Sequence, residues 1–558
     1  MYKVWLESYP EGIPEEVDLN EFSSLVAVFE KAVGEFRERD AYLCMGKSIT
    51  YGELDEMSRQ FAVYLQHSLG VKKGDRVALM MPNLLQYPIA LFGTLRAGAI
   101  VVNVNPLYTA RELEHQLVDS GAETIVVVEN FAKTVQQALP KTQVKHIVVT
   151  SIGELLGGVK GVLVDFVIRR VKKMVPAWEL PAAVRFKKAL AMGAGDPLIP
   201  VTVALSDIAF LQYTGGTTGL SKGAMLTHSN IVANLQQAHA WIAPAVRKGQ
   251  ETIVTALPLY HIFALTANCL TFMKIGARNL LITNPRDIPN FIKELGKTEF
   301  TVITGVNTLF NALLNHPEFA QLDFSKLRVT LGGGMAVQKA VADKWKVVTG
   351  TPLLEAYGLT ETSPAATINP LSLAEYNGSI GLPISSTELT IRDDAGVDVQ
   401  IGVAGEICVR GPQVMAGYWQ RPEETAMVMY PDGFLRTGDV GVMDAKGFVR
   451  IVDRKKDMIL VSGFNVYPNE VEAVAAMHPG VLEVAAVGVP DERTGEAVKL
   501  FVVKKDQALT AQMLVAHCRE SLTAYKVPHQ IEFRTELPKT NVGKILRRAL
   551  KEPPPGDA

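Results

Sequence analysis

Cysteine, targeting signals and an excess of one charge are all scarce or missing in this sequence. Only four cysteines occur among its 558 residues, and none of them forms a C-x-x-C pair. That spacing disfavours a disulfide framework and a cysteine zinc site, and a reduced cytoplasmic compartment is expected. The first 22 residues also lack the basic and then apolar pattern of a secretory signal peptide.

Charge and hydropathy disfavour two further classes of protein. Basic residues number 56 and acidic residues 58, so the net charge is −2. Proteins that coat nucleic acid usually carry a clear positive excess, so no nucleic-acid partner is expected. One stretch, 252–273, has no formal charge and the length of a membrane-spanning helix. Because Pro258, His261 and Asn268 interrupt it, a buried strand followed by a buried helix is the preferred interpretation.

The pattern along the chain predicts an α/β fold with more than one domain. Apolar residues make up 48% of the 558 residues, a globular balance in a chain too long for one ordinary core. Short Val- and Ile-rich runs, such as 76–81, 124–128 and 329–334, alternate with helical patterns. Such alternation is typical of layered α/β subdomains with largely parallel strands.

The sequence changes character twice in its second half. From about 380 to 452, short strand patterns with glycine turns predict a β-rich subdomain. A charged run at 453–457 then precedes a new α/β pattern. We therefore predict a large N-terminal domain, 1–455, a hinge at 453–457, and a small mobile C-terminal domain, 456–558.

The segment 160–188 is unusually basic. It carries eight basic and two acidic residues, interleaved with apolar side chains. This pattern predicts a basic amphipathic helix that ends at a turn near Pro176 and Pro181. Such a helix can lie on an anionic membrane surface, as on the inner face of the cell membrane. A solvated helix that packs on the domain is the alternative.

The most informative motif is YTGGTTGLSKG at 213–223, which follows a strand-like run. Glycines allow the backbone to approach phosphate oxygens, threonines add hydroxyl donors, and a lysine adds positive charge. The spacing does not match the Walker A motif, because Lys222 precedes a glycine instead of following one. The motif therefore predicts a polyphosphate-binding loop of another kind.

Four further motifs are weak signals by themselves. YGLTET at 357–362 offers an aromatic ring, a hydroxyl and a hard carboxylate ligand for Mg²⁺. TGD at 437–439 offers a carboxylate in a turn, and DRKKD at 453–457 is by default a solvated linker. PKTNVGKI at 538–545 places Lys544 in a loop that can carry its ammonium into a distant site.

Taken together, the order and spacing of these motifs resemble the acyl-adenylate-forming superfamily of acyl-CoA synthetases, luciferases and peptide-synthetase adenylation domains. DGFLRTGD at 432–439 resembles the signature peptide of fatty acyl-CoA synthetases. The resemblance covers nearly the whole chain. The segments most similar to bacterial long-chain fatty-acid–CoA ligases are 211–228, 257–266 and 453–472.

The resemblance implies a role for each matching position. The phosphates of ATP are held by Thr214, Gly215, Gly216, Thr217, Thr218, Gly219 and Lys222. The adenosine is held by Gly333, Gly334, Tyr357, Gly358, Asp439 and Arg454. The catalytic residues are Thr360, Glu361 and Lys544, and Thr214 and Glu361 bind Mg²⁺. Lys456 lies at the hinge, and Gly463 lies beside the CoA arm. The acyl pocket draws on His261, Phe263 and Gly332.

The implied activity is that of a long-chain fatty-acid–CoA ligase. A fatty acid and ATP give acyl-AMP and pyrophosphate, and CoA then takes the acyl group and releases AMP. The implied partners are the fatty acid, ATP, CoA and Mg²⁺, and a homodimer is one open oligomeric state. Two alternatives also stay open: a ligase for a medium-chain or aryl acid, and an inactive membrane-associated acyl-binding homologue.

The sequence departs from the family pattern at three positions. Gly215 replaces a serine that is common in the phosphate loop, and Phe434 replaces a tryptophan that is common in the signature peptide. Leu265 stands where some relatives place a tryptophan gate on the acyl tunnel. The first two changes keep a backbone donor and an aromatic ring, whereas the third puts gating by a tryptophan in doubt.

Overall fold

A computed structural model describes residues 3–214, 221–462, 464–491 and 493–551 of the chain. The strands, in chain order, are β1 Asp40–Cys44, β2 Lys47–Thr50, β3 Arg76–Met80, β4 Ile100–Asn103, β5 Thr124–Val128, β6 His146–Thr150, β7 Val184–Arg185, β8 Ile208–Thr214, β9 Lys222–Thr227, β10 Thr252–Thr255, β11 Arg278–Leu281, β12 Val302–Gly305, β13 Val329–Gly332, β14 Leu353–Gly358, β15 Ala365–Ile368, β16 Leu382–Pro383, β17 Glu388–Arg392, β18 Gly405–Arg410, β19 Leu435–Met443, β20 Val449–Arg454, β21 Ile459–Val461, β22 Phe464–Val466, β23 Val481–Asp491, β24 Gly495–Lys504 and β25 Gln530–Arg534.

The α-helices, in chain order, are α1 Leu25–Glu35, α2 Tyr51–Val63, α3 Gln86–Arg96, α4 Ala110–Ser120, α5 Ala132–Ala138, α6 Gly158–Phe166, α7 Phe186–Met192, α8 His228–Ile242, α9 Thr271–Lys274, α10 Ile288–Leu295, α11 Asn307–Leu314, α12 Lys339–Thr349, α13 Pro422–Val428, α14 Pro468–Ala476, α15 Ala511–Ser521 and α16 Arg547–Lys551. Three π-helical segments, Tyr64–Ser68, Val167–Val171 and Ala264–Leu270, adjoin α2, α6 and α9.

Two large sheets confirm the predicted α/β layers. One has the order β7-β6-β5-β3-β4-β8-β9, and the other has the order β16-β15-β14-β13-β12-β10-β11-β1-β2. Their central strands pair in parallel, and they are buried on both faces because helices cover them. The carboxyl ends of such strands form one edge, where ligands of α/β proteins usually bind.

The predicted β-rich subdomain is also present. Strands β17 to β20 form a four-stranded antiparallel sheet, with Asp439 of β19 opposite Arg454 of β20. The small part of the chain follows directly. Its long antiparallel pair β23–β24 carries β21, β22 and β25, and α14 and α15 pack on this sheet around their own apolar core. The exact domain boundaries stay a prediction.

The uncharged stretch 252–273 is folded as the sequence predicts. It contains the buried strand β10 and then the π-helical segment Ala264–Leu270, which runs into α9. None of the helices in the described ranges is both long and apolar enough to cross a bilayer.

Helix α8 is set in place at its first turn. The Thr227 hydroxyl accepts a hydrogen bond from the backbone N–H of Asn230 at 3.1 Å. In turn, Oδ1 of Asn230 accepts from the backbone N–H of Thr227. Such a reciprocal cap satisfies two N–H groups that a helix leaves open. The 15-residue helix then contacts α1, β9 and the π-helical segment Ala264–Leu270.

Candidate functional site

A large cavity lies between the large and small parts of the chain. Its volume is about 2310 Å³, well above the roughly 300–1,000 Å³ of an ordinary small-molecule pocket. The cavity therefore has room for a nucleotide and a second ligand together. Its lining contains nearly all described residues that the sequence predicts for the site: Thr214, Lys222, His261, Phe263, Gly333, Gly334, Tyr357, Gly358, Thr360, Glu361, Asp439, Arg454, Lys456 and Lys544.

Two described residues of the predicted phosphate loop, Thr214 and Lys222, lie on neighbouring strands. They face each other where β8 pairs antiparallel with β9. Gly215, Gly216, Thr217, Thr218 and Gly219 lie outside the described residues, and so does Gly463. The Lys222 ammonium pairs with the carboxylate of Glu424 and lies 5.2 Å from the ring centre of Tyr418. A lysine is thereby placed at one wall of the cavity.

A carboxylate with two donors forms another wall. The buried Asp439 accepts a 2.7 Å hydrogen bond from the Tyr357 hydroxyl, and its other oxygen lies 3.2 Å from Nε of Arg454. The facing register of β19 and β20 fixes the Asp439–Arg454 pair. Burial and the Asp439 charge raise the pKa of Tyr357 well above its usual value, so the phenol stays a donor. A carboxylate held this way can accept from the two hydroxyls of a ribose.

The turn after β14 presents Thr360 and Glu361 to the cavity. Oε1 of Glu361 accepts a 2.7 Å hydrogen bond from the Tyr418 hydroxyl, and the Glu361 carbonyl accepts from the Met415 N–H at 2.8 Å. A Cβ added to Gly358 would fall 1.6 Å from the carbonyl oxygen of Pro364, so this turn needs glycine. These bonds fix the Glu361 carboxylate, a hard oxygen ligand suited to Mg²⁺.

Lys544 enters the cavity from the small part. Its loop is closed by two hydrogen bonds with Thr540, at 2.6 and 3.1 Å, and the Gly543 carbonyl accepts from Thr308 of α11 at 2.9 Å. Burial, followed by the charge of Arg454, lowers the pKa of Lys544 to about 8. The predicted delivery of a lysine from a distant loop is therefore present in the structure.

Lys456 lies between β20 and β21, at the boundary of the two parts. It is exposed at its outer end, and partial desolvation and the neighbouring Arg454 lower the pKa of its ammonium. The preceding Lys455 pairs with Asp394 at 2.5 Å. The predicted hinge position thus lies at the rim of the cavity, next to the residues that line it.

Part of the cavity lining is apolar, and we call this part the apolar branch. His261 and Phe263 also line the cavity, and burial, followed by the charge of Lys544, lowers the pKa of His261 to about 4. Gly332 does not line the cavity, because the side of its Cα where a Cβ would stand faces Val337, at 2.6 Å. The walls of the branch are residues of α8, α9 and the central strands: Asn234, Ala238, Ile242, Phe272, Val302, Val329 and Leu331.

Sequence reasoning did not identify these wall residues, nor Tyr418 and Glu424. One signal was available, because Asn234, Ala238 and Ile242 recur every four residues and so share one face of a helix. The local sequence around Tyr418 and Glu424 carries no comparable pattern.

Comparisons with known proteins match nearly the whole chain to one enzyme family. The model of the AMP-binding enzyme family matches residues 29–419, and the model of the AMP-binding enzyme C-terminal domain matches residues 470–544. A long-chain-fatty-acid–CoA ligase of Yersinia pestis is 60% identical, and one of Escherichia coli O157:H7 is 59% identical. Both alignments cover 99% of this chain and 98% of the relative.

Solved structures of related ligases share the fold. An anthranilate CoA ligase in complex with anthranoyl-AMP matches with a TM-score of 0.84 and 26% identity over 96% of this chain and 98% of that one. A benzoate CoA ligase from Burkholderia xenovorans matches with a TM-score of 0.80 and 26% identity over 95% of this chain and 100% of that one.

Proposed function

This chain belongs to the AMP-binding enzyme family, and from that membership we propose that it is a long-chain fatty-acid–CoA ligase. It is an ATP-dependent, AMP-forming acid–thiol ligase, and its full-length relatives are named long-chain-fatty-acid–CoA ligases. The observation that carries the choice of acid is the cavity itself. A polar end with Lys544, Asp439 and Glu361 continues into an apolar branch along α8, which suits a carboxylate on a hydrocarbon tail.

In the first half-reaction, a carboxylate oxygen of the fatty acid attacks the α-phosphorus of ATP. The new P–O bond gives acyl-AMP, and the bond to pyrophosphate breaks. Both reactants are anionic, so the step needs cations and donors that are already in place. We assign this work to Lys544 and Lys222, with Thr360 as a donor to the α-phosphate and Asp439 as the ribose clamp.

Glu361 and Thr214 would hold a Mg²⁺ ion that accompanies ATP. Their fit rests on the Tyr418 hydroxyl, which orients the Glu361 carboxylate toward the cavity that Thr214 also lines. A bound Mg²⁺ would neutralise phosphate charge.

In the second half-reaction, the CoA thiolate attacks the carbonyl carbon of acyl-AMP and AMP leaves. No protein nucleophile is needed, because the mixed anhydride is already activated. Lys544 occupies the cavity in the first step and must withdraw for the thiol to approach. We propose that the small part, 456–558, rotates about a hinge at Lys456, and that the CoA arm then passes Gly463.

The test is pyrophosphate release from the full chain with a panel of carboxylic acids, with and without CoA. Palmitate should give the highest kcat/KM, and acyl-CoA should form only when CoA is added. A higher kcat/KM for a medium-chain or aryl acid would support that alternative instead. The absence of pyrophosphate release with every acid would support the inactive homologue.

We also propose that the enzyme binds an anionic membrane surface, the inner face of the cell membrane. The contact region is the helical stretch 158–171, formed by α6 and the π-helical segment after it. Two of its polar residues contact the rest of the protein. Asp165 accepts hydrogen bonds from the Ser151 hydroxyl and the Gly153 N–H at 2.6 and 2.8 Å, and Arg169 pairs with Glu129 at 2.7 Å.

Six apolar residues in this helix or just after it face solvent. Val159 is 84% exposed and Val162 73% exposed, and Leu163, Phe166 and Val171, together with Met174 just beyond the helix, are each more than half exposed. Exposed basic residues lie in the same part of the chain: Arg170, Lys172, Lys173, Lys187 and Lys188. A helix that merely packs on its domain would point its apolar face inward. An outward apolar face with a cationic rim is typical of helices that lie in a lipid interface.

Vesicle co-sedimentation tests this surface. Replacing Val162 and Phe166 with Glu should abolish binding to phosphatidylglycerol vesicles and leave palmitate activation in detergent unchanged. Val347→Glu is the matched control, because Val347 is 85% exposed on the distant helix α12. Equal binding by the two variants would contradict the membrane proposal. Light scattering would test whether the enzyme forms a homodimer.

A further inference from the structure

The side chain of Arg547 joins the two parts of the molecule. It lies at the start of α16, three residues after Lys544, and is only 16% exposed. Its Nε and Nη2 bind the Glu472 carboxylate of α14 at 3.0 and 2.9 Å. Its Nη1 reaches Asp453 of β20 at 3.1 Å. One guanidinium therefore binds a carboxylate within the small part and another at the end of the large part.

Asp453 is a fully buried carboxylate that depends on donors from the small part. Its side chain has no exposed surface. Oδ1 accepts from Arg547 and from the backbone N–H of Arg454, and Oδ2 accepts from the backbone N–H of Asn469 at 2.8 Å. Burial raises the pKa of Asp453, and Arg547 opposes that rise. A buried carboxylate that loses such partners is strongly destabilised.

The chain order places this ion pair across the hinge. Asp453 precedes Lys456, whereas Asn469, Glu472 and Arg547 all follow it. A rotation of the small part about Lys456 would carry Arg547 away from Asp453 while Arg547 keeps Glu472. Two other side-chain hydrogen bonds join the parts near Lys544, and both are neutral. They are the hydrogen bonds from Thr308 to the Gly543 carbonyl and from Asn311 to the Leu482 carbonyl.

We propose that the Arg547–Asp453 ion pair is a latch that holds the small part in the orientation where Lys544 lies in the cavity. Arg547 is then a positioning residue for acyl-AMP formation, and it touches neither ATP nor the fatty acid. This inference rests on the proposed function, because it requires that the two half-reactions use two orientations of the small part.

Asp453→Asn tests the latch in the full-length enzyme. Asparagine keeps the shape of the side chain and removes the charge that Arg547 binds. The variant should lower palmitate-dependent ATP–pyrophosphate exchange about 5- to 150-fold, the usual range for coupling between two states. Thioester formation from supplied palmitoyl-AMP and CoA should be unchanged or faster. Arg547→Lys keeps the charge but not the planar guanidinium, so it should lower ATP–pyrophosphate exchange by a smaller factor.

A double-mutant cycle and a control separate the latch from a general structural effect. The double variant Asp453→Asn/Arg547→Lys should be no slower in exchange than the slower single variant, because both changes remove one contact. Arg519→Ala, an exposed arginine on α15 of the same small part, should leave both half-reactions unchanged. Equal loss in both half-reactions, or no loss in exchange, would overturn the latch. A wild-type enzyme that activates no fatty acid would contradict the proposed function instead.

Discussion

At the scale of single residues, Lys544 has the most specific assigned role. Its ammonium would stabilise charge on the α-phosphate in the first half-reaction and must withdraw in the second. Lys544→Ala should lower acyl-AMP formation by about 10²- to 10³-fold, the usual loss when one transition-state donor is removed. Thioester formation from supplied acyl-AMP should survive. Equal losses in the two half-reactions, measured separately, would refute the assignment.

The lowered pKa of Lys544 predicts a pH limit on the first half-reaction. The ammonium is the active form, and burial lowers its pKa to about 8. The value of kcat/KM for acyl-AMP formation should therefore be retained below pH 8 and fall as the pH rises through 8. The residual activity of Lys544→Ala should lack this alkaline fall. A flat profile for the wild type up to pH 10 would contradict this role of the ammonium.

The polar residues of the site could be predicted from the sequence, because short motifs carry them. Lys544, Asp439 and Glu361 each lie in a local pattern of donors, glycines and charge, and the fold brings them to one cavity. Tyr418 and Glu424 could not be predicted in this way. They reach Glu361 and Lys222 only through tertiary packing of the chain between β18 and β19, which local patterns do not encode.

At the scale of elements, buried parallel strands were the most predictable part of the fold. Val- and Ile-rich runs such as 124–128 correspond directly to strands, because a strand that is covered on both faces must be apolar throughout. The orientation of 158–171 was less predictable. The periodicity of its apolar residues predicts a helix. Only the hydrogen bonds of Asp165 and Arg169 show which face is turned inward.

Helix α8 gives a prediction about chain length. Ala238 lies on its cavity face, where a larger side chain would fill the apolar branch. Ala238→Trp should lower kcat/KM for palmitate by at least about tenfold, in line with the cost of overpacking. The kcat/KM for hexanoate, whose shorter tail ends before the branch is filled, should change little. Parallel losses for the two acids would show that Ala238 does not limit the acyl tail.

At the scale of the whole molecule, the hinge should decide which half-reaction is possible. Proline fixes φ near −65°, so Lys456→Pro should restrict rotation of the small part. Because Lys544 already lies in the cavity, acyl-AMP formation should persist while thioester formation falls at least about tenfold. Stopped-flow measurement of each half-reaction would check this result. Unchanged overall turnover would contradict the hinge assignment.

Variants of the hinge and of the latch should slow different half-reactions. Lys456→Pro should trap the orientation for acyl-AMP formation, whereas Asp453→Asn should weaken that same orientation. Two substitutions three residues apart would then slow different halves of one reaction. General destabilisation of the region would slow both halves in both variants.

The four thiols of the protein are all buried, and burial raises the pKa of each, to about 11 for Cys44 and Cys518 and about 12 for Cys269 and Cys408. Thiol reagents react with exposed thiolates, so the folded enzyme should barely react with them. A colorimetric reagent for sulfhydryl groups, added to samples withdrawn during turnover, would then report the remaining CoA alone. Any protein signal in that assay would measure the unfolded fraction of the preparation.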